Sequence, residues 1–389
     1  MAIYLSNRMS SVQPAVIPQV AELIRQNPDT ISLGQGVVFY PPPPTSLASI
    51  NKFGSTSKEH HYQSANGLPE FIDAISLKLE TENNIKIDEG STVMVTAGSN
   101  MAFYYSLLAI ADPGDEIIIN TPYYFNHEMA ISMANCKAVL VPTDKQYQLD
   151  IGALEDAITC QTRAIVTISP NNPTGAVYPT QTLKQVNELC HQEKIYHISD
   201  EAYEHFTFDN AKHVSPGSFA QSNQHTISLF SFSKSYGLAS WRVGYLVAPS
   251  HMKSALEKAQ DTVLICPSVI SQHAALGALH AGPSYCHSHQ KALSESRSIC
   301  LQHLNDLGKR VSTPKTSGAF YILSKIDTDL TAIQLVEKLI NKHNVAAIPG
   351  EAFGLHDGCY IRIAFGALSK DILKIGIDRL IRGLEIIIS

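Results

Sequence analysis

The sequence has little charge, a single tryptophan and no long apolar run. Charged residues make up 16% of the 389 residues, against roughly 25% in an average protein, and the net charge of −6 contains no long run of either sign. Nucleic acid and anionic membranes are therefore poor partners. No apolar stretch reaches about 18 residues, so no membrane span is expected. With 44% hydrophobic residues, a disordered chain is also excluded.

Paired cysteine motifs are missing as well. The seven cysteines are odd in number, widely spread and form no C-x-x-C pair, which argues against a disulfide framework or a metal site. The amino terminus lacks the basic-then-apolar pattern of a signal peptide. These features predict a soluble cytoplasmic protein. What the sequence does have is sixteen tyrosines, whose phenols can pack and also form hydrogen bonds at a site.

Helical and strand patterns alternate from about residue 69, and the length exceeds one ordinary domain of about 100–200 residues. Apolar strands in such an alternation are typical of a doubly wound, mostly parallel sheet covered on both faces. The predicted helices are 69–80, 99–110 and 181–192, and the predicted strands are 91–98, 116–120, 163–168, 196–200, 227–231 and 243–247.

The regular alternation of helix and strand patterns ends near 283–287, where an α+β pattern begins. Its predicted elements are a helix over 287–307, a strand over 319–323, a helix over 331–342, a strand over 360–364 and a helix over 370–385. We therefore expect a large domain over 46–285 and a smaller α+β domain built from 1–45 and 286–389.

Lys234 is the first candidate for chemistry, because it follows the strand 227–231 at the sheet edge where open α/β proteins bind ligands. A lysine amine becomes a nucleophile, able to form a Schiff base, when its pKa is depressed from about 10.4. Ser231, Ser233 and Arg242 lie close by in sequence and could hold a phosphate. Taken alone, a solvated lysine in a polar loop is the more ordinary interpretation.

Three other segments also end strands. Asn172 and Asp200 each follow an apolar strand, although either could be a turn residue or a helix cap. Thr96-Ala-Gly-Ser-Asn100 ends a strand and opens a helix, so its N–H groups could bind an anion. Together the four loops favour a single site.

The conjunction of these motifs resembles the class I/II aminotransferases, the fold-type I enzymes that use pyridoxal 5′-phosphate. The matching motifs are Ser-x-Ser-Lys-x(7)-Arg-x-Gly from Ser231, Asn-Pro-Thr-Gly from Asn172, Asp-x-x-Tyr from Asp200 and a late arginine, Arg362, in Tyr-Ile-Arg-Ile. They occur in order and span nearly the whole chain. The resemblance implies the aspartate-aminotransferase-like fold.

The resemblance also implies roles for the residues that face the cofactor ring. Lys234 would form the internal aldimine and move the proton at the substrate Cα, while Asp200 would pair with the pyridinium nitrogen. Asn172 and Tyr203 would donate hydrogen bonds to the ring oxygen. Tyr124 would stack on the pyridine, with Tyr123 as the nearby competitor.

The phosphate and the substrate have their own expected partners. Tyr62 matches the position from which family members reach the neighbouring subunit's phosphate, which implies a homodimer with shared active sites. Arg362, with Asn172 and the N–H of Gly36, would bind the substrate α-carboxylate. The phosphate-binding residues implied by the resemblance are Gly98, Ser99, Asn100, Ser231, Ser233 and Arg242.

Two departures from the family bear on the substrate. Apolar residues follow Gly36 where many relatives have an acidic Pro-Asp-Phe-like stretch, and Asn100 stands where some dicarboxylate-specific relatives have lysine. Both favour a neutral or aromatic amino donor, because a buried second carboxylate without a cation costs several kcal/mol. Aspartate stays open, since His60, His61 or a partner arginine could supply the charge.

The expected activity is ping-pong transfer of an amino group from an L-amino acid to a 2-oxo acid. Two alternatives share the same site residues. A carbon–sulfur β-lyase would release pyruvate and ammonia from cysteine-type substrates, and a regulatory module would bind the cofactor without turnover.

Overall fold

The computed structural model describes residues 6–13, 16–51 and 53–388. Its strands are β1 (Ile31–Ser32), β2 (Ser91–Thr96), β3 (Glu116–Thr121), β4 (Lys137–Pro142), β5 (Thr162–Ile168), β6 (Tyr196–Asp200), β7 (Thr226–Ser231), β8 (Gly244–Pro249), β9 (Val311–Ser312), β10 (Tyr321–Ile326), β11 (Val345–Ala346), β12 (Ile348–Pro349) and β13 (Cys359–Ala364).

The α-helices of the same residues lie between these strands and at both ends of the chain. They are α1 (Asn7–Ser11), α2 (Val16–Gln26), α3 (Pro44–Ile50), α4 (Pro69–Asn83), α5 (Ser99–Ile110), α6 (Phe125–Met133), α7 (Ile151–Asp156), α8 (Thr180–Glu193), α9 (Phe232–Ser235), α10 (Lys253–Leu264), α11 (Val269–Ala281), α12 (Pro283–Asp306), α13 (Ala332–His343) and α14 (Lys370–Ile387).

A seven-stranded sheet forms the centre of the molecule, in the order β2-β8-β7-β6-β5-β3-β4. Its neighbouring strands pair in parallel except at β8, which is antiparallel to both β2 and β7. The expected mostly parallel α/β sheet is therefore confirmed.

Helices cover both faces of this sheet, which is why its central strands are buried along nearly their whole length. Ile117 and Ile119 of β3 pack in one buried cluster with Phe103 of α5, whereas Ile118, between them, packs in another with Leu183 of α8. Successive side chains of a strand point to opposite faces. Both faces of β3 are thus removed from water.

A smaller antiparallel sheet, in the order β12-β13-β10-β9, lies beside the large one. Its core includes Leu335 of α13 and Leu380 of α14, and Val20 of α2 and Leu33 from the amino-terminal part of the chain join the same cluster. The parallel pairing of Ile31 with Val345 ties the chain ends together.

Most predicted elements appear within a few residues of their expected bounds. The strand expected from 319 begins at Tyr321, because Ala319 has a φ of +53°, which a strand does not accommodate. The edge strand β4 and the helices α10 and α11 were not predicted. Among the described residues, no helix is long and apolar enough to cross a membrane.

Candidate active site

A cavity of about 340 Å³ opens at the carboxyl ends of the parallel strands, the edge where open α/β sheets bind ligands. The chain segments that end β2, β5, β6 and β7 meet there. The residues that line the cavity are Ser99, Asn100, Tyr124, Ile168, Asn172, Asp200, Ala202, Tyr203, Ser231, Ser233, Lys234 and Arg242.

Lys234 lies in the short helix α9, which begins as soon as β7 ends. The Ser231 hydroxyl caps this helix by accepting a hydrogen bond from the N–H of Ser233 at 3.1 Å. The Lys234 amine is enclosed and donates to the carbonyl of Gly36 at 2.5 Å. Burial, and then the nearby Arg362 and Arg242 guanidinium groups, lower the pKa of Lys234 to about 8. The amine can therefore act as a nucleophile or base near neutral pH.

Asp200, the last residue of β6, contacts a histidine that the sequence reasoning missed. Nε2 of His127 lies 3.1 Å from the Asp200 carboxylate, and its ring stacks on Phe103 at 4.0 Å between centroids. Asp200 also accepts from the N–H of Ala202 at 3.1 Å. The carboxylate is buried and held in one orientation. His127 lies in α6, and no short motif links it to Asp200.

Asn172, Tyr203 and Arg362 form one hydrogen-bonded group with Tyr321, a second residue that was not expected in the site. Asn172 donates to the Tyr203 hydroxyl at 3.3 Å, and the hydroxyls of Tyr203 and Tyr321 lie 2.8 Å apart. Burial, with the neighbouring Tyr321 and Tyr124, raises the pKa of Tyr203 well above its ordinary value. Tyr203 therefore stays protonated and can donate a hydrogen bond.

Arg362 faces a second cavity of about 420 Å³, which shares Tyr124, Asn172, Tyr203 and Lys234 with the first. Its guanidinium donates to Asn172 Oδ1 at 2.9 Å and to the Gly34 carbonyl at 2.7 Å. It also lies 4.4 Å from the ring centroid of Tyr321. In the part of the chain that the structure describes, its buried Nε has no hydrogen-bond partner. A buried cation with a free donor is suited to bind a carboxylate.

An anion site lies at the far end of the first cavity, where α5 begins. Gly98 precedes the helix with a φ of +83°, and a Cβ there would collide with the Arg242 guanidinium. The first N–H groups of a helix have no acceptor within it, and the helix dipole favours negative charge. Arg242 also donates to the Ala239 carbonyl at 2.8 Å and is largely exposed.

Of the aromatic candidates, Tyr124 lines the first cavity and Tyr123 packs in the core. The hydroxyl of Tyr124 donates to Asn100 Oδ1 at 3.4 Å. Tyr62 lines neither cavity, and its side chain is 79% exposed. Gly36 lines the second cavity.

Comparisons with known proteins give one answer. A sequence model of the family "Aminotransferase class I and II" matches residues 28–380. The aspartate aminotransferase of Pyrococcus abyssi is 33% identical over 381 residues, 97% of each chain. An aromatic aminotransferase of Arabidopsis thaliana is 31% identical over 98% of this chain and 96% of its own.

The fold agrees. The solved structure of aspartate aminotransferase from Thermus thermophilus with maleate matches with a TM-score of 0.89 at 29% identity, over 98% of this chain and 100% of that one. The chain thus belongs to the class I and II aminotransferase family and is an aminotransferase.

Proposed function

We propose that pyridoxal 5′-phosphate is the cofactor and that it occupies the first cavity. The observation that carries the proposal is the Lys234 amine, which lines one cavity with an anion site and with Asp200 and whose pKa is lowered to about 8. The α5 amino terminus, the hydroxyls of Ser231 and Ser233 and the Arg242 guanidinium fit a phosphate. The Asp200 carboxylate fits a protonated ring nitrogen.

Each side chain then has a task in the transfer. Pyridoxal phosphate, when bound, supplies a carbonyl carbon for the amino group and a ring that accepts the electron pair left at the substrate Cα. Lys234 acts as the general base that removes the Cα proton, a role that suits an amine with a pKa near 8. Asp200, oriented by His127, holds the ring nitrogen protonated. Asn172 and Tyr203 donate hydrogen bonds to the ring oxygen.

Arg362 is the proposed partner of the substrate α-carboxylate, with the N–H of Gly36 beside it. The residue is buried, at 3% exposure, and its guanidinium is fixed between Asn172 and Gly34, so its orientation is set before substrate arrives. A planar fork of donors matches a carboxylate in a way that a lysine cannot.

The second cavity supports an amino donor with a large apolar side chain. One wall consists of the α2 residues Ile17, Val20, Ala21 and Ile24, and the only cationic side chains among its described lining are Lys234 and Arg362. Both are already assigned, Lys234 to the Cα proton and Arg362 to the α-carboxylate. A second carboxylate in this cavity would lack a cationic partner, at a cost of several kcal/mol. Aspartate and aromatic aminotransferases both occur among the relatives, and the lining favours the aromatic or large aliphatic class.

A panel of donors tests the substrate class. We expect kcat/KM for phenylalanine and methionine to exceed that for aspartate by about tenfold or more. The second carboxylate of aspartate would be buried without a cationic partner, and each 1.4 kcal/mol of such a cost is about a factor of ten. Alanine is the control donor, since its methyl group does not reach α2. Enlarging Ala21, as in Ala21→Trp, should lower kcat/KM for phenylalanine and leave that for alanine unchanged. Preference for aspartate would contradict the assignment.

We further propose a homodimer with shared sites, supported by the exposed Tyr62, and the domain division 46–285 with 1–45 and 286–389. The strands of the large sheet all fall within the first range, and those of the four-stranded sheet within the last. The cysteines are free, which supports a reducing compartment such as the cytoplasm.

A further inference from the structure

The turn that follows β6 presents its side chains to two different surroundings. Asp200, Ala202 and Tyr203 line the first cavity, whereas Glu201 and Glu204 are absent from its lining and are buried among other residues. Backbone bonds close the turn, with the N–H of Glu204 donating to the carbonyl of Glu201 at 3.0 Å. Because these residues share one tight turn, whatever fixes the two glutamates also fixes the residues that face the cofactor cavity.

Glu204 is held by two residues of α4. Nζ of Lys78 donates to Glu204 Oε2 at 2.5 Å, and Nδ2 of Asn83 donates to the same oxygen at 2.8 Å. Lys78 also donates to Asn83 Oδ1 at 2.7 Å, so the three side chains form a closed triangle. The Lys78 and Glu204 side chains are only 5% and 9% exposed.

Glu201 is connected to the same group through Ser215. Nδ2 of Asn83 donates to the Ser215 hydroxyl at 2.8 Å, and that hydroxyl donates to Glu201 Oε2 at 2.5 Å. Nε2 of His213 lies 2.9 Å from the same oxygen. Both glutamates of the turn are thus anchored to one network, which reaches the carboxyl-terminal end of α4.

Stability is a poor explanation for a buried ion pair of this kind. Removing two charges from water costs several kcal/mol for each ion, and apolar replacements of such pairs are often neutral or stabilising. Burial raises the pKa of Glu204, but Lys78, His205 and His213 outweigh that effect and hold it at about 2. The Glu204 carboxylate therefore stays ionised over the working pH range, and what its contacts with Lys78 and Asn83 contribute is a fixed position for the turn.

We propose that Lys78 is a positioning residue for the amino-transfer reaction. Lys78 holds Glu204 in place, and Glu204 in turn fixes the position of the Tyr203 phenol in the cofactor cavity. The inference rests on the proposed function, because Tyr203 is assigned there as a donor to the ring oxygen of pyridoxal phosphate. Lys78 itself lines neither cavity.

The test replaces the pair by a double variant, Lys78→Met with Glu204→Met, so that no unpaired charge remains buried. We expect the variant to stay folded, with an unfolding midpoint lowered only because Asn83 Oδ1 loses its Lys78 donor, while kcat falls about tenfold to a hundredfold, the range expected for a misplaced site residue. The pH at which the visible band of bound pyridoxal phosphate changes should rise, because a hydrogen bond to the ring oxygen is weakened. Wild-type values of kcat and of that transition pH in the folded variant would overturn the proposal.

A milder variant keeps the test decisive if the double variant does not fold. Glu204→Gln retains the shape, and its amide oxygen can still accept from Lys78 and Asn83. It leaves the Lys78 ammonium opposite a neutral group, so we expect the same two changes at smaller size together with some loss of stability. The control is Glu116→Gln, because Glu116 is likewise buried and accepts from a lysine, Lys137, at 2.8 Å and from Thr159 at 2.7 Å, at the other end of a strand from the cavity. Equal effects of the two variants, or none from Glu204→Gln, would overturn the proposal.

Failure of this inference is separable from failure of the proposed function. If the wild-type protein takes up no pyridoxal phosphate and shows no visible band, the proposed function is wrong. If the wild type transfers amino groups and the Lys78 and Glu204 variants match it in transition pH and rate, only the positioning role is wrong.

Discussion

Lys234 of the cofactor-free protein should react with an aldehyde at a much lower pH than an ordinary lysine. Burial, then the cations Arg362 and Arg242, lower its pKa from 10.5 to about 8. Only the neutral amine attacks a carbonyl, and a lower pKa means that the neutral form of the amine is populated at a lower pH. At pH 7 about a tenth of such an amine is neutral, against about 0.03% at a pKa of 10.5, a gain of about 300-fold.

Pyridoxal without its phosphate is the right probe, because it leaves the charge of Arg242 uncompensated. The rate of its visible-band formation should rise with a midpoint near pH 8, and Arg362→Met should move that midpoint upward. Lys234→Ala reports the background from other lysines. A midpoint at about pH 10, or an equal rate in Lys234→Ala, would refute the reasoning.

Further predictions address the other proposed roles. Lys234→Ala should abolish turnover while its circular dichroism and melting temperature stay near those of the wild type; retained turnover would remove the proposed base. An equal mixture of Lys234→Ala with Tyr62→Ala, after subunit exchange, should recover about a quarter of wild-type activity, since half the dimers of a two-fold pair would carry one intact shared site; no recovery would argue against sharing. Arg362→Lys should lower kcat/KM about 30-fold, equivalent to about 2 kcal/mol for a charge-assisted hydrogen bond, and an unchanged value would exclude the carboxylate role. Emission from Trp241, the only tryptophan, should change when cofactor binds beside Arg242, with Trp241→Phe as the blank; constant emission would place the cofactor elsewhere.

The sequence was most informative about the central strands of the large sheet and the residues at their carboxyl ends. Strands such as β3 and β7 are buried along nearly their whole length, and each carries an apolar run, residues 117–119 in β3 and residues 229–230 in β7, that stands out in the sequence. Polar residues at or shortly after the carboxyl ends of such strands, Asp200 in β6 and Lys234 beyond β7, could therefore be assigned to the same edge of the sheet. Ten of the expected residues line the first cavity: Ser99, Asn100, Tyr124, Asn172, Asp200, Tyr203, Ser231, Ser233, Lys234 and Arg242.

The sequence did not predict the contacts between segments that are far apart in the chain. The edge strand β4 is only partly buried, and its apolar run, residues 138–141, lies between the exposed Lys137 and Pro142, so it resembles the buried central strands less closely. His127 and Tyr321 contact Asp200 and Tyr203 from α6 and β10, across 73 and 118 positions of the chain. Lys78 reaches Glu204 across 126 positions. Such pairings depend on the packing of whole elements and leave no local pattern.

The central claim is transfer of an amino group through a cofactor held by this chain, and a single half-reaction tests it most directly. The purified protein, loaded with pyridoxal phosphate and given phenylalanine without any acceptor, should lose its visible band and release one phenylpyruvate per subunit. Addition of a 2-oxo acid should then restore the band and yield the corresponding amino acid. Loss of the band with no 2-oxo acid released, or a band that no amino acid alters, would contradict the account.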